Sequence, residues 1–391
     1  MKEEIMFLVV GSDYRSFLLD ELPEEIQVES VGAISECNKF LTIKKMCTTH
    51  EEALDAICSK MQDGPNLRAI KLFRNKAALR SKLSCINPEF YFQQIKLDEL
   101  QNVSLKFDTL EFRYVIKPVK GFFGIGVHFI SQNTSLKVLQ KKILSEINAQ
   151  RIAHPSYFIN DTLSSNDFLI EQCVGGEVID AFSFENAEIA IDGFYDKDGQ
   201  FILLNIYHHP YHNSRKYFHL LYYTSYNLFE NFAEKTIIFF NQLRKIIQLE
   251  IFSFPLHAEF KVTNGELFLV EINPGRFAGL GLSDLTYYAF GINPYDYFFY
   301  DKSFEWKNII KRNFCFAWVL IYQGENYKGK KSHIFQHEKI IKKIRHNLIK
   351  YIPIHYDESV AAVAFLKNLT KEQLAQILRI EFNDFYLIAK S

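Results

Sequence analysis

Two apolar stretches that each carry an acid, joined by an Asn-Gly turn, constrain this chain more than any other feature. Pro255-Leu256-His257-Ala258-Glu259-Phe260-Lys261 leads through Asn264-Gly265 into Leu267-Phe268-Leu269-Val270-Glu271-Ile272-Asn273-Pro274-Gly275-Arg276. Hydrophobic runs around Asn-Gly read as a β-hairpin. Side chains alternate between faces along a strand, so register decides whether the two acids meet. A plain two-residue turn would set Glu259 opposite Val270 and send Glu271 to the other face. A three-residue loop, Asn264-Gly265-Glu266, with a bulge would set Glu259 opposite Glu271 and leave Asn273 on the same face. The second register is expected. Two carboxylates about 5 Å apart repel by about 3 kcal/mol at an effective dielectric of about 20, so a cation belongs between them. Two carboxylates and an amide oxygen are hard ligands that suit Mg²⁺ held largely through substrate phosphates. The plainer alternative is an acidic hairpin edge facing water.

Two segments upstream bear on the choice. Tyr114-Val115-Ile116-Lys117-Pro118 is an apolar strand, followed by the loop Val119-Lys120-Gly121-Phe122-Phe123-Gly124-Ile125-Gly126 and a second apolar run, Val127-His128-Phe129-Ile130. Glycines let backbone N–H groups approach phosphate where side chains would block it. Phe168-Leu169-Ile170-Glu171-Gln172-Cys173-Val174 runs into Gly175-Gly176-Glu177. An extended segment of this kind can pair its backbone with an adenine edge and hold ribose hydroxyls with a carboxylate. Either segment alone reads equally well as an ordinary hairpin.

Taken together and in this order, the lysine-proline strand with its glycine loop, the Glu-rich hinge before Gly-x-Glu, and the paired strands ending in Glu-x-Asn resemble the ATP-grasp superfamily. The resemblance spans about residues 110 to 300 and is nearest to carboxylate-amine ligases of the biotin carboxylase and amino-acid ligase kind. It implies an α/β and α+β architecture: an N-terminal small α/β domain with a linker helix (1–108), an ATP-grasp domain (109–302, lid about 113–178) and a small C-terminal α/β domain (303–391). It further implies that Lys117 contacts the α- and β-phosphates of ATP and that the loop bearing Lys120, Gly121, Gly124 and Gly126 closes over the triphosphate. Glu171, Gln172 and Val174 would form the adenine hinge, with Glu177 on the ribose. Glu259, Glu271 and Asn273 would hold Mg²⁺, or Mn²⁺ in its place. Lys76, in Phe73-Arg74-Asn75-Lys76-Ala77-Ala78-Leu79-Arg80, matches a helix start whose lysine reaches the phosphates. Arg276 would stabilise charge on the transferred phosphoryl group and the acyl-phosphate. Many relatives place that arginine two residues after the Asn, whereas here Gly275 intervenes.

Composition narrows the class. With 391 residues, 48% hydrophobic content and a formal charge of −1, the chain can build two or three cores and carries no bias toward nucleic acid. The run Ile5-Met6-Phe7-Leu8-Val9-Val10 is too short for a membrane span, follows two acids and reads as a first strand. Cys37, Cys47, Cys58, Cys85, Cys173 and Cys315 are scattered without a Cys-x-x-Cys, which indicates neither zinc nor a disulfide framework and fits a reducing cytoplasm. The 37 Phe and 21 Tyr read as core, since base stacking would want basic residues interleaved with them. Residues 72–108 read as a helical connection interrupted by Pro88, and Asn160 to Asp167 as an exposed turn. Ala187 to Tyr207 reads as two strands, Phe229 to Leu249 as an amphipathic helix, and the basic stretch Lys339 to Lys350 as a solvated helix face.

The substrate end is thinner. The loop Tyr207-His208-His209-Pro210-Tyr211-His212-Asn213-Ser214-Arg215-Lys216-Tyr217 is dense in histidine, but no acid or cysteine lies near it to complete a zinc site. It reads rather as an edge of the active site, with Arg215 or Lys216 meeting a carboxylate. Phe277 to Asp284 has small residues, Gly279 among them, that let a substrate approach the backbone. His257 shares a strand face with Glu259, which would let it border the site, the commoner alternative being a satisfied core histidine. The expected reaction activates a small carboxylate as an acyl-phosphate and joins it to an amine with release of ADP and phosphate. Its partners would be small molecules rather than nucleic acid or membrane, and the resemblance leaves room for a homodimer. Carboxylation, direct phosphorylation of a small molecule, and nucleotide binding without turnover are the alternatives.

Overall fold

The computed structural model describes residues 4–11, 16–36, 42–107, 113–121, 124–159, 162–175, 180–210, 220–323, 333–354 and 360–388. At the N-terminus β1 (Glu4–Gly11), β2 (Ile26–Ser30) and β3 (Thr42–Thr48) form a parallel sheet in the order β2-β1-β3. Parallel strands are covered on both faces and read as unbroken apolar runs; Leu8, Val9 and Val10 of β1 are all fully buried. Helices α1 (Val31–Glu36) and α2 (Glu51–Cys58) accompany this sheet. In open parallel sheets ligands bind beyond the carboxyl ends of the strands. Here that edge abuts the acidic hairpin: Thr48 bridges Arg276 in parallel, and its N–H donates to the Gly275 carbonyl at 2.8 Å.

Helices α3 (Pro65–Arg74) and α4 (Lys76–Leu83) follow, Pro65 starting the first and the Asn75 side chain capping the second by accepting from Ala78 N–H. The helical reading then fails, because residues 92–96 are a strand, β4 (Phe92–Lys96). It is the edge of an antiparallel sheet ordered β4-β7-β5-β6 with β5 (Tyr114–Pro118), β6 (His128–Ile130) and β7 (Asp167–Gln172). Only Ile95 of β4 is buried, so the alternation is too sparse to register as a strand in the sequence. Helix α5 (Leu136–Ala153), followed by the single turn α6 (Ser156–Ile159), covers this sheet with Leu139, Ile143 and Ile147 at helical spacing. Asn160 and Asp161 lie outside the described residues, but the rest of the expected exposed turn is not exposed at its start: Thr162, Leu163 and Ser164 are buried.

The main sheet has eight strands in the order β12-β11-β8-β9-β10-β13-β16-β15. These are β8 (Glu188–Tyr195), β9 (Phe201–His209), β10 (Leu221–Ser225), β11 (Phe254–Thr263), β12 (Glu266–Pro274), β13 (Cys315–Tyr322), β15 (Leu348–Pro353) and β16 (Val360–Lys367), while β14 (His333–Phe335) pairs separately with β17 (Tyr386–Ile388). Helix α7 (Tyr226–Ile247) packs Phe229, Phe232, Phe240, Leu243 and Ile247 into the core beneath it. Residues 315–367, expected as part of a separate tail, supply three strands of this same sheet. The basic stretch begins on a helix (His337–Ile344) that buries Ile340 and Ile344 and leaves Lys339, Lys342 and Lys343 exposed, but Leu348 to Lys350 already belong to β15. No helix among the described residues is long and apolar enough to cross a membrane. The described cysteines Cys47, Cys58, Cys85, Cys173 and Cys315 are free thiols.

The acidic hairpin reaches the expected pairing by a different device. Thr263 pairs with Glu266, so the turn is the two-residue Asn264-Gly265, with φ of +54° and +73°. Both residues are left-handed, as a type I′ turn requires, and Asn-Gly is the sequence that best tolerates it. The extra residue is taken up inside the strand: Phe260 pairs with Leu269 and Glu259 with Glu271, leaving Val270 as a bulge. The bulge, rather than a longer loop, turns Glu271 to the side of Glu259.

Candidate functional site

Strand register assembles one polar face on the main sheet. His257 lies opposite Asn273 on one side and Asp192 on the other; Glu259 lies between Glu271 and Ala190; Lys261 lies opposite Glu188, which pairs in turn with His209. Paired residues share a face, so these side chains form three adjacent rows. Within them His209 Nδ1 is 3.0 Å from Glu188, and Lys261 Nζ is 3.6 Å from the same carboxylate. Fully buried Asp192 accepts from Tyr207 Oη at 2.8 Å, from Ala278 N–H at 2.9 Å and from His257 Nδ1 at 2.9 Å. A carboxylate only accepts, so Nδ1 carries the proton and Nε2 faces Glu259, 3.8 Å from its Oε1. His208 points the other way, onto Tyr223 Oη at 2.7 Å, and burial pushes its imidazole down to about 3.

The paired acids are held asymmetrically. Lys76 Nζ sits 3.1 Å from Glu271 Oε2 and donates to the Gly121 carbonyl at 2.8 Å, so it joins the hairpin to the glycine loop. Burial alone would raise the Glu271 carboxyl, but Lys76, Lys117 and Arg276 hold it below the ordinary carboxylate value. Glu259 is pushed well above that value by burial and by the charge of Glu271, and among the described residues no lysine or arginine forms an ion pair with it. That imbalance is what a hard divalent cation would correct. Glu259, Glu271 and Asn273 fit such an ion as a partial shell completed by phosphate and water oxygens. Among the described residues no group of three or more His, Cys, Asp or Glu is arranged to hold a metal, so no zinc cage is found at His208 and His209.

The hinge and the loop are built on buried ion pairs. Lys117 Nζ lies 2.5 Å from Glu171 Oε1, and Arg80 Nε lies 3.0 Å from Oε2. Arg80 also donates to the Leu269 carbonyl at 3.2 Å and its guanidinium lies 4.8 Å from the ring centres of Phe90 and Phe268. The side chain of Gln172 accepts from Tyr91 N–H at 3.0 Å. Glu171 and Gln172 thus direct their side chains into the protein, and the strand ends there, before Val174 and Gly175. Gly124 and Gly126 have φ of +68° and +71°, and a Cβ on Gly121 would lie 3.0 Å from Leu163 Cδ1. Lys120 exchanges two hydrogen bonds with Ser164, donating its N–H to Oγ at 3.0 Å and accepting from Ser164 N–H at 2.9 Å.

Arg276 emerges from β12 at the junction with the N-terminal sheet. Its Nε lies 3.2 Å from Glu51 Oε1, and Nη1 donates to the Phe277 carbonyl at 3.2 Å. The glycine that separates it from Pro274 has φ +72°, and a Cβ there would lie 2.9 Å from Leu54 Cδ1. Gly275 therefore supplies the left-handed step that turns Arg276 toward α2. Gly275→Ala is expected to cost about 2 kcal/mol, from the αL penalty and the displacement of Leu54, read as a lower urea midpoint at unchanged slope. Gly279 lies nearby, a Cβ on it being 4.0 Å from Arg276 Nη1 and 3.9 Å from the Thr49 carbonyl. Glu177, Arg215 and Lys216 lie outside the described residues.

Sequence reasoning missed Arg80, Asp192, Glu188, Lys261 and Glu51. Arg80 had a usable signal, standing four residues after Lys76 and so on the same helix face. Asp192 had one too, as a lone acid inside the apolar strand Ile189 to Tyr195.

Residues 110–284 match the model of an ATP-grasp domain. No curated protein matches the chain significantly by sequence. Among solved structures, the chain is similar to an L-amino acid ligase from Bacillus licheniformis, with TM-score 0.65, 16% identity and coverage of 100% of both chains. It is also similar to an N5-carboxyaminoimidazole synthetase from Staphylococcus aureus complexed with ADP, with TM-score 0.62, 12% identity and coverage of 96% of this chain and 97% of that one. A third is the biotin carboxylase domain of the 2-oxoglutarate carboxylase from Hydrogenobacter thermophilus, in complex with MgADP, ADP and bicarbonate. It has TM-score 0.59, 14% identity and coverage of 99% of this chain and 91% of that one.

Proposed function

We propose that this chain, whose residues 110–284 match the model of an ATP-grasp domain, is an ADP-forming ligase that joins a small carboxylate to an amine through an acyl-phosphate. The observation that carries this reading is the facing pair Glu259 and Glu271, with Lys76 strung between Glu271 and the Gly121 carbonyl. Acids set opposite each other on a half-buried sheet face have no structural advantage; they are useful where a polyphosphate brings a cation. Magnesium, or manganese in its place, would be held by Glu259, Glu271 and Asn273 and would neutralise and align the phosphate oxygens.

A carboxylate does not react with an amine at useful rates, because its leaving group would be oxide. Transfer of the γ-phosphoryl group to a carboxylate oxygen converts that group into phosphate, which the amine can displace. Lys76 and Lys117 supply fixed positive charge to the phosphates, and the backbone at Gly121, Gly124 and Gly126 shields them from water. Arg276 sits beyond the metal-binding acids, where the carboxylate would enter, and offsets the charge that develops on the acyl-phosphate. The hinge past Glu171 receives the adenine by its backbone, its side chains being engaged elsewhere. Gly279 borders the acceptor's entry, Glu177 is assigned to the ribose by motif position, and Arg215 or Lys216 to the substrate carboxylate by the charge of their loop.

Full-length similarity to an amino acid ligase favours an amino-acid-like carboxylate. Similarity to carboxylating ATP-grasp enzymes supports a second reading, in which bicarbonate is the carboxylate. Incubation with Mg-ATP and pooled amino acids, with ADP resolved from AMP, tests the proposal. Amino-acid-dependent ADP and phosphate are expected. Bicarbonate-dependent ADP would select the second reading, and AMP would overturn both.

A further inference from the structure

Thr162 and Ser164, polar residues that read as part of an exposed turn, are buried, as is Leu163 between them. The Thr162 hydroxyl donates to Asp55 Oδ2 on α2. The other oxygen of Asp55 is 2.5 Å from Arg74 Nη1, and Arg74 Nε is 3.4 Å from Glu51 Oε2. Glu51 Oε1 in turn holds Arg276 Nε at 3.2 Å. Glu51 and Asp55 stand four residues apart and share one helix face. Buried Arg74 Nη2 has no hydrogen-bond partner, so among the described residues the two acids alone hold that guanidinium. At the far end, Ser164 exchanges hydrogen bonds with Lys120, and Leu163 packs on Gly121.

We propose that Glu51 is a positioning residue for Arg276, and that the chain Glu51–Arg74–Asp55–Thr162 ties the alignment of Arg276 to the seating of the Lys120–Gly121 loop. The consequence for catalysis rests on the ligase reading. When the loop lifts, Thr162 leaves Asp55 and the whole carboxylate turns to Arg74. The 3.4 Å contact from Arg74 to Glu51 then weakens, and Glu51 swings on Arg276. Phosphoryl transfer is thereby confined to the state in which the loop excludes water. Without the link, ATP still phosphorylates the carboxylate, but water attacks the acyl carbon in place of the amine. The carboxylate is regenerated and phosphate leaves with no amide formed.

Four variants, read by kinetics and by hydrogen exchange, test this. Thr162→Val, nearly isosteric, is expected to raise phosphate released per amide formed several-fold, with the KM for ATP within about twofold of the parent. Thr162→Ser, which keeps the hydroxyl and loses a methyl, should return the parent ratio. Glu51→Gln should lower kcat by about tenfold at the same KM for ATP. In the nucleotide-free protein, Asp55→Asn and Thr162→Val should each raise deuterium uptake in both the 114–121 and the 273–281 segments. A parent-like Thr162→Val beside an impaired Thr162→Ser would mean packing alone and overturn the proposal, as would uptake rising in one segment only. Should the parent form no ADP with any substrate, the ligase reading falls, and the exchange measurement still decides the link.

Discussion

Glu271→Ala is expected to lower substrate-dependent ADP formation by about 10²- to 10³-fold, or about 3–4 kcal/mol of transition-state stabilisation, across a magnesium titration. The loss should not be recovered at high magnesium, because Glu259 and Asn273 alone leave the ion without the carboxylate that faces Lys76. Stability should move little. Removing one of two facing carboxylates relieves repulsion, which offsets the loss of the Lys76 contact, and Lys76 keeps the Gly121 carbonyl. That separation of activity from stability distinguishes a metal ligand from a structural ion pair. A variant turning over ATP like the parent at every magnesium concentration would refute the assignment of the hairpin. A variant with an urea midpoint lowered by several kcal/mol equivalents would instead make Glu271 a structural partner of Lys76.

What the sequence revealed of this site follows the distance over which each contact is encoded. Glu259 and Glu271 stand in one hairpin, and strand alternation with a turn signal predicts that they face each other. The turn itself was misread. Asn264-Gly265 has the chemistry of a two-residue type I′ turn, and that local preference prevails. The bulge at Val270 carries no glycine to announce it, so its place was invisible. Strand β4 escapes the sequence because it is an edge with one buried side chain, and the tail's place in the main sheet because its one link, β13, pairs with β10 about a hundred residues away. Thr162 and Ser164 look like solvent residues until Asp55 and Lys120 are brought to them. Glu51 illustrates the limit: nothing near it in sequence hints at Arg276, 225 positions on. Motifs thus point to the groups proposed to meet the nucleotide, while the residues that hold those groups are set by packing between distant elements.

Glu171→Gln carries the largest expected loss of stability, about 3–5 kcal/mol, because it leaves Lys117 and Arg80 buried without their shared counter-charge. All three side chains are 6–7% exposed, so water cannot replace the lost carboxylate. The effect should spread to the hairpin, since Arg80 also donates to the Leu269 carbonyl beside the bulge. Acidity gives an independent check. Burial would raise the Glu171 carboxyl, but Lys117 and Arg80 outweigh it and hold its native value below the ordinary one. The unfolded chain therefore binds this proton more readily than the native one, and the stabilisation is fully present above the ordinary carboxylate pKa. It is lost as pH falls through the lowered native value. Urea midpoints of parent and variant should differ most at neutral pH and converge on acidification below about pH 4. A gap of under about 1 kcal/mol at neutral pH, or one that widens in acid, would mean that Glu171 does not hold the two cations in place. Lys117 would then owe its position beneath the glycine loop to strand β5 alone.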